Sequence, residues 1–397
     1  MPTPSESARF VRLIIISTCT KLADILMSAK TTLPWLLSSI GAPGWMISTL
    51  VPIREAGSLI PQWPVRQSTS DIRNRLKLWR YGIVAQGLCI GLMVPAVLIL
   101  PAFAAGLTVI ILLALMSIGR SLCSLTMKDI QGHNVSKGKR GRLNGTATTV
   151  SGLLSFLSAA MLLLGQQGLG DTALLVMLTI ASVLFLVTLP VSSGLASEFD
   201  KQEDQQEGLS ELVNTVQNDT ALKHLVISRC LLLHGALVAP YFVSVSMNGS
   251  DSNFSLPFFI AASAAASFIS SYLWGKLSDD SAVRSLQYGS MICVVACVGV
   301  ALLPLYNGWT PIIGFLILNI GYAGIRNGRK TYVLDIAEDD KRSQYVAAGN
   351  TIVGVVLLLL GGIYALAYAW LDSFIITLMA VALALGGIHT VQLKREK

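Results

Sequence analysis

The sequence predicts an all-α polytopic membrane protein: about twelve transmembrane helices in two six-helix bundles, with both termini cytoplasmic. Three observations carry this. Of 397 residues, 53% are hydrophobic and only 13% charged, against roughly 25% charged in a soluble domain. The mean hydropathy is +0.64. Apolar runs of about 18 or more residues recur along the whole length, each able, at about 1.5 Å per residue, to cross a hydrocarbon core of about 30 Å. The runs are continuous and lack the alternation of a membrane strand, so helices are favoured over a barrel. A soluble enzyme is excluded.

In chain order the spans fall at 10–36, 43–64, 79–100, 102–127, 145–166, 171–193, 221–246, 254–276, 285–306, 309–333, 346–368 and 371–392. The first run contains Lys21 and Asp24 and is followed by no small-residue cleavage pattern, so it is a retained helix rather than a signal peptide. Turn signals separate the spans at Gly41-Ala-Pro43, Leu100-Pro101, Asn248 to Asp251 and Tyr306-Asn-Gly308. All six cysteines lie inside apolar segments, where a thiol behaves as a small hydrophobe, and no disulfide framework follows.

Sorting the connections by parity gives the topology. Those near 38–43, 100–102, 165–171, 247–254, 306–310 and 369–372 hold no Lys or Arg. The alternate ones hold Arg66, Arg73, Arg75 and Lys77; Lys137, Lys139, Arg140 and Arg142; Lys276 and Arg284; and Lys341 and Arg342. By the positive-inside rule these connections and both termini are cytoplasmic. The net charge of +7 therefore marks orientation and contact with lipid headgroups, and nucleic acid is not an expected partner.

The longest connection, 194–220, is acidic and divides a first bundle, 1–193, from a second, 221–397. Within it Leu209, Leu212, Val213 and Val216 follow an i, i+3, i+4, i+7 pattern, which predicts a short amphipathic helix on the cytoplasmic surface.

Two matches relate the halves. Gly57, Leu59, Val65 and Arg66 after span two recur at equal spacing as Gly275, Leu277, Val283 and Arg284 after span eight. Arg120 precedes Asp129-Ile130 as Arg326 precedes Asp335-Ile336. A duplicated six-helix unit is a common construction of secondary transporters. Here the chain resembles the major facilitator superfamily over essentially its full length. Gly275-Lys-Leu277-Ser-Asp279 is similar to that family's cytoplasmic G-x-L-x-D loop motif, between the second and third helices of a half. The family's second Gly and the Arg directly after the Asp are missing, and the first-half copy has Pro61 where the Asp is expected. The resemblance implies a cytoplasmic gate built from Gly57, Arg66, Arg120, Gly275, Asp279, Arg284 and Arg326. In it Gly allows helices to approach, and Asp279 faces a helix N-terminus and is neutralised by Arg284.

A charge near the bilayer centre costs at least about 2.5–3.5 kcal/mol, so each is a functional candidate. Lys21 and Asp24 lie about 16–21 Å into span one and share a helix face, as a local ion pair or as the lining of a central cavity. Arg54 and Glu55 lie at similar depth in span two, Arg54 a candidate interhelical partner of Asp24 and Glu55 a candidate proton site. Span seven carries Arg229 and His234, the latter beside Gly235 and before Pro240, where backbone irregularity opens a cavity wall. Arg329 and Lys330 snorkel toward cytoplasmic headgroups. Tyr322 belongs to a scattered set of span aromatics suited to packing or to stacking a solute.

No Walker A sequence, nucleophile-base grouping or zinc signature occurs, so no cofactor and no enzymatic activity are expected. The expectation is a monomeric secondary transporter of the cell (inner or plasma) membrane that carries a small solute by alternating access. Coupling to protons would run through Asp24 or Glu55, and the cationic lean of Lys21, Arg54 and Arg229 favours an organic anion. The alternatives are efflux of drugs or amphipathic cations and, in a different class, a non-transporting assembly factor or sensor of the same fold.

Overall fold

The computed structural model describes residues 6–62, 64–65, 74–136, 140–164, 170–195, 209–248, 256–303, 309–336, 342–371 and 374–393. In chain order its helices are α1 (Glu6–Leu26), α2 (Thr32–Ser39), α3 (Gly44–Leu59), α4 (Arg75–Ile99), α5 (Ala102–Asn134), α6 (Arg140–Leu164), α7 (Gly170–Val191) and α8 (Leu209–Asn218). They continue as α9 (Thr220–Leu232), α10 (His234–Leu237), α11 (Ala239–Asn248), α12 (Leu256–Asp280), α13 (Ala282–Leu302), α14 (Trp309–Ile336), α15 (Arg342–Leu371) and α16 (Phe374–His389). Each apolar run expected from the sequence falls on one or more of them.

Contacts divide the chain into two compact units, Met1–Ser28 with Ser39–Ala42 and Ile53–Gln206, and Ala29–Ser38 with Pro43–Pro52 and Glu207–Lys397. In the first, α1 packs on α6 and α7, and α4 on α5 and α7. The α4–α5 seam is a backbone contact: a Cβ on Gly82 would lie 2.6 Å from the carbonyl oxygen of Gly119. Ser182 of α7 donates to the carbonyl of Gly87 in α4 at 2.7 Å. The second unit repeats the device. There α13 packs on α14 and α16, and a Cβ on Gly289 would lie 2.7 Å from the carbonyl oxygen of Gly321. Glycine at such seams lets dispersion contacts form where lipid leaves no hydrophobic drive between helices.

The outer faces are apolar, with Leu98 66%, Phe268 77% and Leu366 78% exposed, as a lipid solvent requires and water does not tolerate over large areas. Among the described residues, seven segments are long and apolar enough to cross a membrane. Thr220–Met247 is the most enclosed of them, 78% buried over its most apolar stretch against 33–44% for the others.

Two runs expected as continuous spans are interrupted. The first breaks over 27–31 between α1 and α2. Pro34 lies in the first turn of α2, where its missing N–H is harmless, but its ring would clash with the carbonyl of Lys30 if one helix ran through. The seventh breaks on both sides of α10. Pro240 opens α11, and the bonds of Ala236 N–H to Leu233 (2.8 Å) and Tyr241 N–H to Val238 (3.0 Å) tighten to i→i−3. The irregular backbone expected around His234 and Gly235 is present.

In the connection 194–220, residues 196–208 lie outside the described residues, and the expected amphipathic helix is α8, which packs on α15 and α9. Asp219 follows it, capping α9 by accepting from Leu222 N–H at 2.9 Å and accepting the Tyr345 hydroxyl.

Candidate functional site

In the first unit three helices converge on one carboxylate. Gly57 of α3 stands against Ser117 of α5, so close that a Cβ would lie 2.7 Å from the serine Cβ. Arg54 lies three residues before this contact on α3 and Arg120 three residues after it on α5, and both side chains reach Asp24 of α1. Arg54 Nη2 donates to Asp24 Oδ1 at 2.9 Å, and Arg120 Nη1 donates to both carboxylate oxygens. Arg54 Nη1 also lies 3.7 Å from Glu55 Oε1. The side chains of Arg54 and Asp24 are only 13% and 19% exposed, those of Arg120 and Glu55 34% and 35%. The core of the cluster is thus closed while one cation and one carboxylate keep access to its surface.

Lys21, one turn before Asp24, donates from Nζ to Thr148 Oγ1 of α6 at 2.6 Å. The ion pairs of Asp24 are with Arg54 and Arg120, so the local Lys21–Asp24 pair does not form. Sharing a helix face does not decide the matter, because both partners of Asp24 are planar guanidiniums that fork onto a carboxylate. The interhelical Arg54–Asp24 pair expected from the sequence is present. Arg120, expected at the cytoplasmic gate, completes this cluster. The available signal was the set of charges away from the helix ends: Lys21, Arg54 and Arg120 against Asp24 and Glu55 on three apolar helices invite pairing.

In the second unit Arg229 of α9 is buried. Its Nη2 donates to Asn350 Oδ1 of α15 at 2.9 Å, and its Nε is buried without an acceptor. With Tyr322 and Arg329 of α14 and Ser228 of α9 it lines a small cavity. Lys30, from the break between α1 and α2, sits 4.4 Å above the Tyr322 ring, a cation–π contact that sequence reasoning missed because it depends on packing across about 290 residues. His234 is accounted for locally: Nδ1–H donates to the carbonyl of Leu231 at 2.7 Å, and the ring stands edge-on to Tyr364 at 5.6 Å.

Residues 31–361 match the sequence profile of the Major Facilitator Superfamily. The chain belongs to the Major Facilitator Superfamily. As such it is a multi-pass membrane protein of a transporter family, not an enzyme. The nucleoside transporter NupG, solved as a mutant, superposes with a TM-score of 0.76 at 9% identity, covering 97% of this chain and 100% of that one. A POT family transporter in complex with 5-aminolevulinic acid superposes at 0.73 with 10% identity, over 96% of this chain and 94% of that one. No curated protein matches in sequence.

The residues expected at a cytoplasmic gate are placed unevenly. Gly57 makes the close approach expected of it. At Gly275 a Cβ would meet no atom within 4 Å among the described residues. Arg284 is exposed, its N–H capped by Ser281 at 3.3 Å. Arg326, the repeat counterpart of Arg120, is exposed on α14. Asp279 lies in α12 with its side chain outside the described set, and Arg66 lies outside the described residues altogether. Among the described residues no group of three or more His, Cys, Asp or Glu gathers to hold a metal.

Proposed function

We propose that this superfamily member is a proton-coupled secondary transporter of a small organic anion, working by alternating access in the cell membrane. Twelve spans in two six-helix bundles, 1–193 and 221–397, are joined by the acidic segment 194–220, with both termini cytoplasmic. The protein works as a monomer, in contact with lipid and without a nucleic-acid partner. The observation that carries this is the Asp24–Arg54–Arg120 cluster with Glu55 beside it. Charges cost free energy in a membrane interior and are kept where solutes or protons move. Asp24 is committed to two guanidiniums, so the half-accessible Glu55 is the proton carrier and Arg120 the cation that the solute meets. A cationic drug would meet repulsion from Arg54, Arg120 and Lys21, which disfavours amphipathic-cation efflux.

The experiment is proton flux in proteoliposomes containing a pH-sensitive dye, with carboxylates and phosphate added outside. Wild type acidifies or alkalinises the lumen as an anion moves, and Glu55→Gln abolishes that proton signal. An anion flux indifferent to the pH gradient in wild type, or an unchanged proton signal in the Glu55→Gln variant, rejects the coupling.

A further inference from the structure

The apolar parts of the second-half spans hold cations but no acidic residue; the acidic residues of α12 and α14, Asp279, Asp280 and Asp335, lie at the helix ends. The segments 221–246, 256–276, 285–302, 309–333, 346–371 and 374–392 contain no Asp or Glu, yet they carry Lys223, Arg229, Lys276, Arg326, Arg329 and Lys330. Most of these can extend toward headgroups. Arg229 cannot, being 8% exposed on the most enclosed span. One of its N–H groups is taken by a neutral amide oxygen, of Asn350, and Nε–H has no acceptor. Among the described residues no carboxylate pairs with it. Arg329 faces the same cavity, Tyr322 forms another wall, and Lys30 lies over the Tyr322 ring. Two guanidiniums, of Arg229 and Arg329, line a space whose described lining holds no acidic residue. A buried guanidinium left in this state is strongly unfavourable, whereas a planar oxyanion would satisfy its open donors in a forked geometry.

We propose that the cavity between α9 and α14 is an oxyanion subsite in which Arg229 binds the carboxylate of the transported solute, with Arg329 as the second cation and Tyr322 as the wall beside it. The subsite rests on the anion-transport reading for what the ligand is, but it is a statement about equilibrium binding. It therefore survives or fails separately from the coupling assigned to Glu55, which lies in the other unit.

The test is thermal stabilisation of the purified full chain in detergent, titrated with benzoate, citrate and inorganic phosphate, and with glucose and tetraphenylphosphonium as neutral and cationic probes. A ligand that binds the folded state raises its apparent Tm, the stabilisation growing with the logarithm of ligand concentration above Kd. Benzoate or citrate raises Tm in wild type, and Arg229→Gln weakens the apparent affinity by about ten- to a hundredfold, the usual worth of a charge-assisted hydrogen bond. Arg229→Lys retains part of the effect, since it keeps the charge and loses the fork. Arg329→Gln weakens the same titration severalfold, and this variant decides the matter if Arg229→Gln does not fold. No stabilisation by either carboxylate, stabilisation by phosphate, glucose or tetraphenylphosphonium alone, or unchanged carboxylate affinity in Arg329→Gln or in a folded Arg229→Gln overturns the proposal. Loss of proton coupling in Glu55→Gln with the Tm shift intact rejects the coupling and leaves the subsite standing.

Discussion

The Arg120 guanidinium bonds both carboxylate oxygens of an aspartate 96 residues earlier in the chain, Asp24. Arg54 holds the same carboxylate from the opposite side of the α3–α5 contact. One acidic side chain thereby ties three helices, and the arginine that the family resemblance assigned to a gate is one of its partners.

Removing the shared carboxylate leaves Arg120 without its ion-pair partner and Arg54 with only Glu55, at 3.7 Å, in a largely closed site. Asp24→Asn is expected to destabilise the protein by about 3 kcal/mol, at the low end for breaking a buried pair because Arg120 is partly accessible. The readout is apparent Tm in detergent. Adding Arg120→Gln to Asp24→Asn restores part of the loss, because it removes one of the stranded charges. A double variant no more stable than Asp24→Asn alone would contradict the pairing.

The Lys21–Thr148 bond is a charge-assisted contact across helices. A double-mutant cycle with Lys21→Met and Thr148→Val should give a coupling of about 1–2 kcal/mol in denaturant unfolding. Strict additivity would mean that the contact contributes nothing.

Glycines that share a motif or a seam need not share a reason. Gly289→Ala places a methyl group against the backbone of Gly321, which cannot move aside, and a loss of about 1–3 kcal/mol is expected. Gly275→Ala meets open space and should leave Tm unchanged or raise it slightly through helix propensity, worth about 0.5–1 kcal/mol. Equal Tm changes in the two variants would show that the close approach at Gly289 is unimportant.

Asp219→Ala removes the cap of α9 and is expected to cost about 1 kcal/mol. Hydrogen exchange should quicken first at the amide of Leu222, which loses its acceptor, while amides in the middle of α14 stay protected. Uniform quickening across the chain would instead report global loosening.

What could be read from the sequence follows from what is local. Apolar length and the parity of Lys and Arg depend on composition alone, so the helices fall on the expected runs. The i, i+3, i+4, i+7 spacing of Leu209 to Val216 is likewise local and is found as α8. Pro34 and Pro240 were visible, but only the seventh span was expected to be irregular, although the same steric rule applies to both. The Arg54–Asp24 pair was accessible because adjacent spans in a hairpin are neighbours by connectivity. Arg120 with Asp24 and Lys30 with Tyr322 were not, since nothing short of helix packing says which distant residues meet. Motif similarity drew Arg120 and Arg326 to one role, yet one is ion-paired and the other exposed.

The spacing of the Asp24 partners along the chain also orders assembly during synthesis. Arg54 follows 30 residues after Asp24 and Arg120 follows 96 residues after it. At about 5–20 residues per second, the first partner emerges within about 2–6 s and the second after roughly 5–20 s. Arg54 is therefore the residue that makes the nascent first hairpin tolerable in lipid. Arg120 arrives at a pair already made and joins a third helix to it.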